Sequence, residues 1–437
     1  MRKKTCLFSS VILYFLIYLI TACAQIDNSG SRSLVNFSHL DRLYEEVTIA
    51  NQQMGIIHIY SEYPDYSWID APGEGSACVD DVARGAVLYL LHYHYTKDVN
   101  SLDKAKKLLG FVLYMQAPNG LFYNFIYRDL TINKTRSNSQ PRADWWAWRA
   151  IWALGEGLHY IGNEDTAYSN KLSAAITRTF PVIDSLLQFY PKTEINFGLV
   201  QPTWLPAGTA ADQAAVLQLS LLAYFKYTSD PEVQSRIVKI AEGIMLMQAG
   251  DETDFPYGAF LSWRHTWHAW GNCQAYALLG TGDLFSKLKY SNPAITEIRY
   301  FHPYWIRENQ LAEFSIRSEG DNIIAVAEKQ YPQIAYGIRP QVWANLAAYK
   351  ATEDTFYARQ AGEIACWLLG KNTSGKILYD PNTGRCFDGL EDSKKINNNS
   401  GAESTLEALL TLIELENNPV TYKIVSEFYH KMIQDQN

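Results

Sequence analysis

The chain has 437 residues, among them 12 Trp and 29 Tyr, and a net charge of −8. An acidic surface argues against nucleic acid or an anionic lipid surface as the main partner, so no nucleic-acid partner is expected. Cys78, Cys273, Cys366 and Cys386 show neither CxxC nor Cys/His ligand spacing. A disulfide framework and a zinc site are therefore not expected, although Cys366 and Cys386 could pair in an oxidising compartment.

The chain opens with Arg2, Lys3 and Lys4, an apolar run from Leu7 to Ile20, and small residues before Cys23. A basic start followed by an apolar run of about 14 residues, short of the ~20 that span a bilayer, reads as an export signal. Ile20-Thr21-Ala22-Cys23 resembles the bacterial lipobox, which implies cleavage before Cys23 and lipidation of its sulfur. The alternative is an ordinary secretory peptide cleaved nearby. The expected organisation is a signal over 1–22, an anchor or linker over 23–36, and one large domain over 37–437. On this reading the protein is exported and held by lipid at the periplasmic or cell-surface face of a membrane. Removal of the three basic residues takes the net charge to −11.

Helical periodicity dominates the rest, and β-like runs such as "GIIHIY" are short. Six helices share one style, a long polar loop and then small residues mixed among large apolar ones. They begin "DDVARGAVLYLL" at Asp80, "DWWAWRAIWAL" at Asp144, "DQAAVLQLSLL" at Asp212, "HAWGNCQAYALL" at His268, "QVWANLAAY" at Gln341 and "ESTLEALLTL" at Glu403. Counted from Asp81, the steps are 63, 68, 56, 73 and 62 residues. Between them run amphipathic helices such as "SLDKAKKLLGFVLYMQ", "KLSAAITRTFPVIDSLLQFY" and "PEVQSRIVKIAEGIMLMQ", with one charged face. The alternation predicts an inner ring of helices wrapped by an outer ring.

No polar cap marks either end of an open solenoid. The six-helix pattern, with the C-terminal "LLGKNTSGKILYDPNTGRCFDGLE…NNNSGAESTLEALL", resembles the six-hairpin glycosidase superfamily across the chain after the leader. That resemblance implies an all-α (α/α)6 toroid with short β excursions in its loops, and a carbohydrate-related activity. A monomer is expected, with no cofactor and no metal; "DPNTG" reads as a turn rather than a calcium loop.

In such a toroid the N-termini of the inner helices converge on a bowl. Glycosidic cleavage needs one carboxylic acid to protonate the leaving oxygen and one carboxylate as base or nucleophile. Asp80, Asp81, Asp144, Asp212 and Glu403 are the right groups at helix starts, where their alternative role is capping. "TAAD" and "SGAE" fit caps at Asp212 and Glu403, with Ser400 as the second N-cap, leaving substrate contact as their other role. Asp144 and one of Asp80 and Asp81 lack such a signature and are the leading catalytic candidates. Asp388, Glu252 and Asp254 are loop substitutes, and Glu156, three turns into its helix, reads as a buried support.

Sugar sites also need flat apolar faces. Trp68, Trp145, Trp204, Trp263, Trp267 and Tyr304 lie in or beside loops expected at the bowl, about half to touch substrate and the rest to pack. Arg264, His265 and His268 in "SWRHTWHAW" are candidate substrate contacts, as are Arg142 and Arg339, whose forked donors suit hydroxyls or a uronate and whose alternative partners are the starter acids. The leading reading is a glycoside hydrolase. The alternatives are a polysaccharide lyase, with Arg264 or Arg339 beside His265 or a tyrosine, and a glycan-binding lipoprotein without catalysis.

Overall fold

The computed structural model describes residues 33–436 apart from 163, 164 and 321; Cys23 and the expected leader lie outside the described residues. The compact unit begins at Leu34, which is buried and whose N–H donates to Glu416 Oε1 at 2.5 Å. The last three residues assigned to the 23–36 linker are thus packed into the domain.

Six helical hairpins make up the unit. Their inner members are α1 (Val79–Thr96), α3 (Trp145–Ile161), α5 (Ala211–Thr228), α7 (Gln274–Phe285), α9 (Ala335–Thr352) and α11 (Ala402–Glu416). The outer members are α2 (Val99–Tyr114), α4 (Thr166–Thr177), α6 (Pro231–Met245), α8 (Leu288–Thr296), α10 (Thr355–Ala365) and α12 (Pro419–Gln436). Each inner helix packs on the next, and α11 packs back on α1, which closes an (α/α)6 toroid. Burial explains the alternation. In α3, Trp146, Trp148, Ile151, Trp152 and Leu154 are all buried, whereas α6 buries one face only.

Three of the hairpins turn on one device, Thr-x-Asp. Thr96, Thr228 and Thr352 close their inner helices by donating Oγ1 to the carbonyl four residues back. Lys97, Ser229 and Glu353 then adopt the left-handed conformation. Asp98, Asp230 and Asp354 follow, each donating its N–H to the threonine hydroxyl and capping the outer helix with its carboxylate. An acidic side chain on the free N–H groups of a helix start offsets both their lost hydrogen bonds and the helix dipole.

The structure departs from the sequence expectation in several places. The fourth inner helix starts at Gln274, because Thr266–His268 is a strand paired with Glu313–Glu319, which in turn pairs with Asn322–Lys329. The fifth starts at Ala335, six residues early, with Pro340 inside it. Pro340 cannot donate to the Tyr336 carbonyl, and Gly271 N–H does so instead at 3.3 Å. The outer segment "KLSAAITRTFPVIDSLLQFY" splits into α4 and a second helix, Phe180–Leu187, with Pro181 in its first turn. The fourth outer segment had no helical signature because it carries Pro293 and Pro303; it runs through α8, a π-helical turn at Glu297–Phe301 and His302–Arg307. Cys366 and Cys386 are both buried free thiols, so the disulfide considered for them is not formed. Among the described residues no helix is long and apolar enough to cross a membrane.

A buried chain of charges joins the ring where it closes. Arg84 of α1 donates to Asp81 at 2.9 Å and lies 2.8 Å from Glu407 of α11, and Glu407 also accepts from Arg339 of α9. All four residues are almost without solvent exposure. Removing one member of such a chain leaves its partners charged and unpaired, at a cost of about 3–5 kcal/mol. Glu407→Ala is therefore expected to lose stability on that scale, read as a fall in the denaturant midpoint; an unchanged midpoint would refute this account of ring closure.

Candidate active site

At the N-terminal end of the inner helices lies a cavity of about 680 Å³. It is off-centre, lined from α1, α3, α9 and α11 but not from α5 or α7. The α5–α7 side is filled. Asp212 at the start of α5 pairs with His268 Nε2 at 3.0 Å, His268 Nδ1 meets the Trp270 carbonyl at 2.7 Å, and the Trp270 ring stacks on the imidazole at 3.7 Å. Trp270 also meets Trp145 at 5.6 Å between ring centres, and together they wall the cavity. Gly271 (φ +68°) permits the approach: a Cβ there would come within 3.0 Å of both the Trp145 ring and the Tyr336 hydroxyl.

The floor is ionic. Asp80 Oδ1 accepts from Arg149 Nη1 at 2.5 Å, and Arg149 Nη2 donates to Tyr336 Oη at 2.8 Å. The Tyr336 ring lies among three guanidinium groups, those of Arg84, Arg149 and Arg339, at 4.8, 5.1 and 5.5 Å. Burial nevertheless raises its hydroxyl to about 12, against the pull of Arg149 and Arg84. Arg84 Nη2 donates to Glu403 Oε2 at 2.8 Å, so one arginine serves Asp81, Glu407 and Glu403. Burial pushes the Asp81 carboxyl up to about 6, with Arg84 opposing and Glu403 and Asp80 pushing further. Asp81 has both oxygens engaged, one by Arg84 and the other by the Cys78 thiol at 3.2 Å. Asp80 and Glu403 keep more access, with side chains 21% and 47% exposed.

Asp388 sits at the cavity edge, its Oδ1 accepting from Gly401 N–H at 2.8 Å and Ser404 Oγ at 2.7 Å. It braces the start of α11, whose N-cap is Gly401 rather than Ser400, and burial raises its carboxyl above the usual range. The caps thus fall opposite to expectation. The residues with a capping signature, Asp212 and Glu403, bond His268 and Arg84, whereas Asp144 is the N-cap of α3, accepting Trp145 N–H at 2.9 Å. Arg142 holds Asp144 Oδ2 at 2.9 Å, and neither residue lines the cavity.

The structure brings Asp80, Asp81, Trp145, Glu403 and the loop substitute Asp388 together and sets the other candidates apart. Trp68 stacks on His58 at 3.7 Å, and Trp204 is core beside Tyr190. Trp263 lies under Arg264, and His265 stacks on Phe197, all outside the cavity. Trp267 is buried on Phe314, and Arg339 lies beneath the floor on Glu407. Tyr304 packs with Phe255 and Tyr257, and Glu252 accepts from Tyr300. Sequence reasoning missed Glu74, Arg84, Asn138, Arg149, Trp270 and Tyr336, all of which line the cavity. Arg84 and Arg149 carried a usable signal: an arginine inside an otherwise apolar helix must find a buried acid. Among the described residues no group of three or more His, Cys, Asp or Glu is arranged to hold a metal ion.

No family model matches the chain, and no curated protein matches it in sequence. Solved structures do match its fold. The cellobiose 2-epimerase of Bacillus thermoamylovorans is similar over 93% of this chain and 99% of its own, with a TM-score of 0.61 at 10% identity. A family 76 glycoside hydrolase from a bovine Bacteroides thetaiotaomicron strain matches over 91% and 79%, with a TM-score of 0.53 at 10% identity. A polysaccharide lyase matches over 77% and 90%, with a TM-score of 0.51 at 12% identity. Identities this low establish a shared toroidal fold and leave the chemistry to the site itself.

The capping role of Asp144 has a measurable consequence. Asp144→Ala is expected to cost about 1 kcal/mol of stability, as lost N-caps do, and to leave the cavity's ligand binding unchanged. Calorimetry with titration of a bound glycan checks both, and lost binding in a folded variant would return Asp144 to the site.

Proposed function

We propose that the chain is a glycoside hydrolase acting on an oligo- or polysaccharide in the cavity among α1, α3, α9 and α11. The observation that carries this reading is the pair Asp80 and Glu403. They stand on neighbouring helices of the closed ring, each with one oxygen on a buried guanidinium and the carboxyl still reachable from the cavity. Trp145 and Trp270 supply faces for pyranose C–H groups, and Glu74 and Asn138, hydrogen-bonded at 2.8 Å, supply partners for hydroxyls. Asp81, joined to Glu403 through Arg84, keeps a proton up to about pH 6. The cluster therefore sets a carboxyl that burial keeps protonated to higher pH beside the two cavity-facing carboxyls Asp80 and Glu403, and glycosidic cleavage needs an acid and a base or nucleophile side by side. Structural likeness to an epimerase, a lyase and a hydrolase that act on carbohydrates supports a carbohydrate substrate, and the choice of hydrolysis rests on the carboxyl pair.

The competing readings fit less well. A lyase base must take a proton from carbon, and burial moves the Tyr336 hydroxyl up to about 12, away from that task. Arg264 and His265, considered for a lyase, lie outside the cavity. Epimerisation also moves a carbon-bound proton, and no histidine lines the cavity. In the same reading the protein is an exported monomer, lipid-anchored through Cys23 and working without a cofactor.

The test is a glycan panel with product analysis. Asp80→Asn and Glu403→Gln are each expected to lower kcat/KM at least about 100-fold on a substrate the wild type cleaves. Turnover should fall as pH rises above about 6, where the Asp81 cluster loses its proton. Full activity in both variants would sink the assignment, glycan binding without product would point to a binding protein, and an ultraviolet-absorbing unsaturated uronide would point to a lyase. Incorporation of labelled fatty acid in cells, expected for the wild type and lost in Cys23→Ala, checks the anchor.

A further inference from the structure

A second cavity, of about 510 Å³, opens at the opposite end of the toroid. Residues within two positions of the end of every inner helix line it: Tyr95, Tyr160, Lys226, Asp283, Lys350 and Glu414. Its floor is Trp152 and Trp343, edge to face at 6.2 Å between ring centres. Arg339 lies 4.6 Å from the Trp343 ring, so the buried charges separate the two cavities.

The electrostatics of this end favour a cation. Six helix C-termini turn their carbonyl ends towards it. Two carboxyls reach in from the inner helices on either side of α1: Glu156 from α3, with Oε1 accepting from Trp152 Nε1 at 3.2 Å, and Glu414 from α11, with both oxygens 3.1 Å from Tyr95 Oη. Among the described residues Glu156 Oε2 has no protein hydrogen bond. Burial pushes Glu156 up to about 7 and Glu414 above its usual range, yet both keep partial solvent access, as groups on a concave wall do. The lysines lie at the exposed rim, Lys226 acting on Glu156 and Lys350 on Glu414 against the effect of burial, and Lys350 is 3.7 Å from Asp283. Carboxylates and aromatic faces, both of which attract positive charge, thus meet at the negative ends of helix dipoles. The volume suits a small molecule.

We propose that this cavity binds a small organic ammonium compound, an amine carried on a ring or alkyl body. The ammonium is held by Glu156 and Glu414, and the body lies on Trp152, Trp343 and Tyr160.

Titration of the purified protein near neutral pH, followed by tryptophan fluorescence and calorimetry, tests it with two matched pairs: 2-phenylethylamine against 2-phenylethanol, and glucosamine against glucose. At least one amine is expected to saturate and to bind at least tenfold tighter than its neutral match; the pair that responds distinguishes an aromatic body from a sugar body. Glu156→Gln and Glu414→Gln should each weaken amine binding about tenfold or more, while Asp80→Asn in the first cavity leaves it unchanged. Equal affinity for amine and alcohol, no saturation in either pair, wild-type amine binding in both folded Gln variants, or loss of binding in Asp80→Asn would each overturn the proposal. If a Gln variant fails to fold by circular dichroism, Tyr160→Leu on the partly exposed wall takes its place, with the same weakening expected.

Discussion

The rest of the structure depends on the buried guanidinium of Arg84. It ties α1 to α11 through Glu407 and Glu403, the closure without which six hairpins would be an open stack. Through Asp81 it also orders the first turn of α1, and through Glu407 it is joined to Arg339 on α9. Charges this deeply buried are tolerated only when every one is paired, so the network is close to all-or-none. Fold closure and site geometry therefore share their atoms: whatever loosens the ring also moves Glu403.

The same network makes the two ends of the toroid unlike each other. Above it, helix N-termini present free N–H groups and the positive ends of their dipoles to the carboxylates of the first cavity. Below it, helix C-termini surround Glu156 and Glu414 in the second. Trp152 and Trp343 separate the lower cavity from the ionic layer, whereas the upper cavity has that layer as its floor. A closed ring of inward-facing helices thus yields two chambers at opposite ends of the helix dipoles.

The tryptophan-rich start of α3 illustrates how far sequence reading reaches. At about 100° per residue, Trp148 and Trp152 share a face, and both are buried in the wall, while Trp145 stands at the mouth beside Arg149. Local periodicity was enough for that. It was not enough for Asp144 and Glu403, which occupy equivalent helix starts with opposite surroundings. Asp144 satisfies its own helix and Arg142 two residues away, whereas Glu403 meets an arginine 319 positions away. His268 and Trp270 were similarly opaque, since a strand pairing with Glu313–Glu319 turns them inward to fill the α5–α7 side.

What the sequence determined by itself is the alternation of six nearly all-round apolar helices with sided ones, five of the six outer helices being legible and the proline-bearing fourth not. Burial periodicity and Thr-x-Asp turns are properties of neighbouring residues, written within a few turns of chain. What only the tertiary structure decided is which acids face a cavity, which cap a helix and which neutralise a buried arginine. Those roles depend on partners brought together by ring closure, and a carboxylate carries no local mark of the guanidinium it will meet.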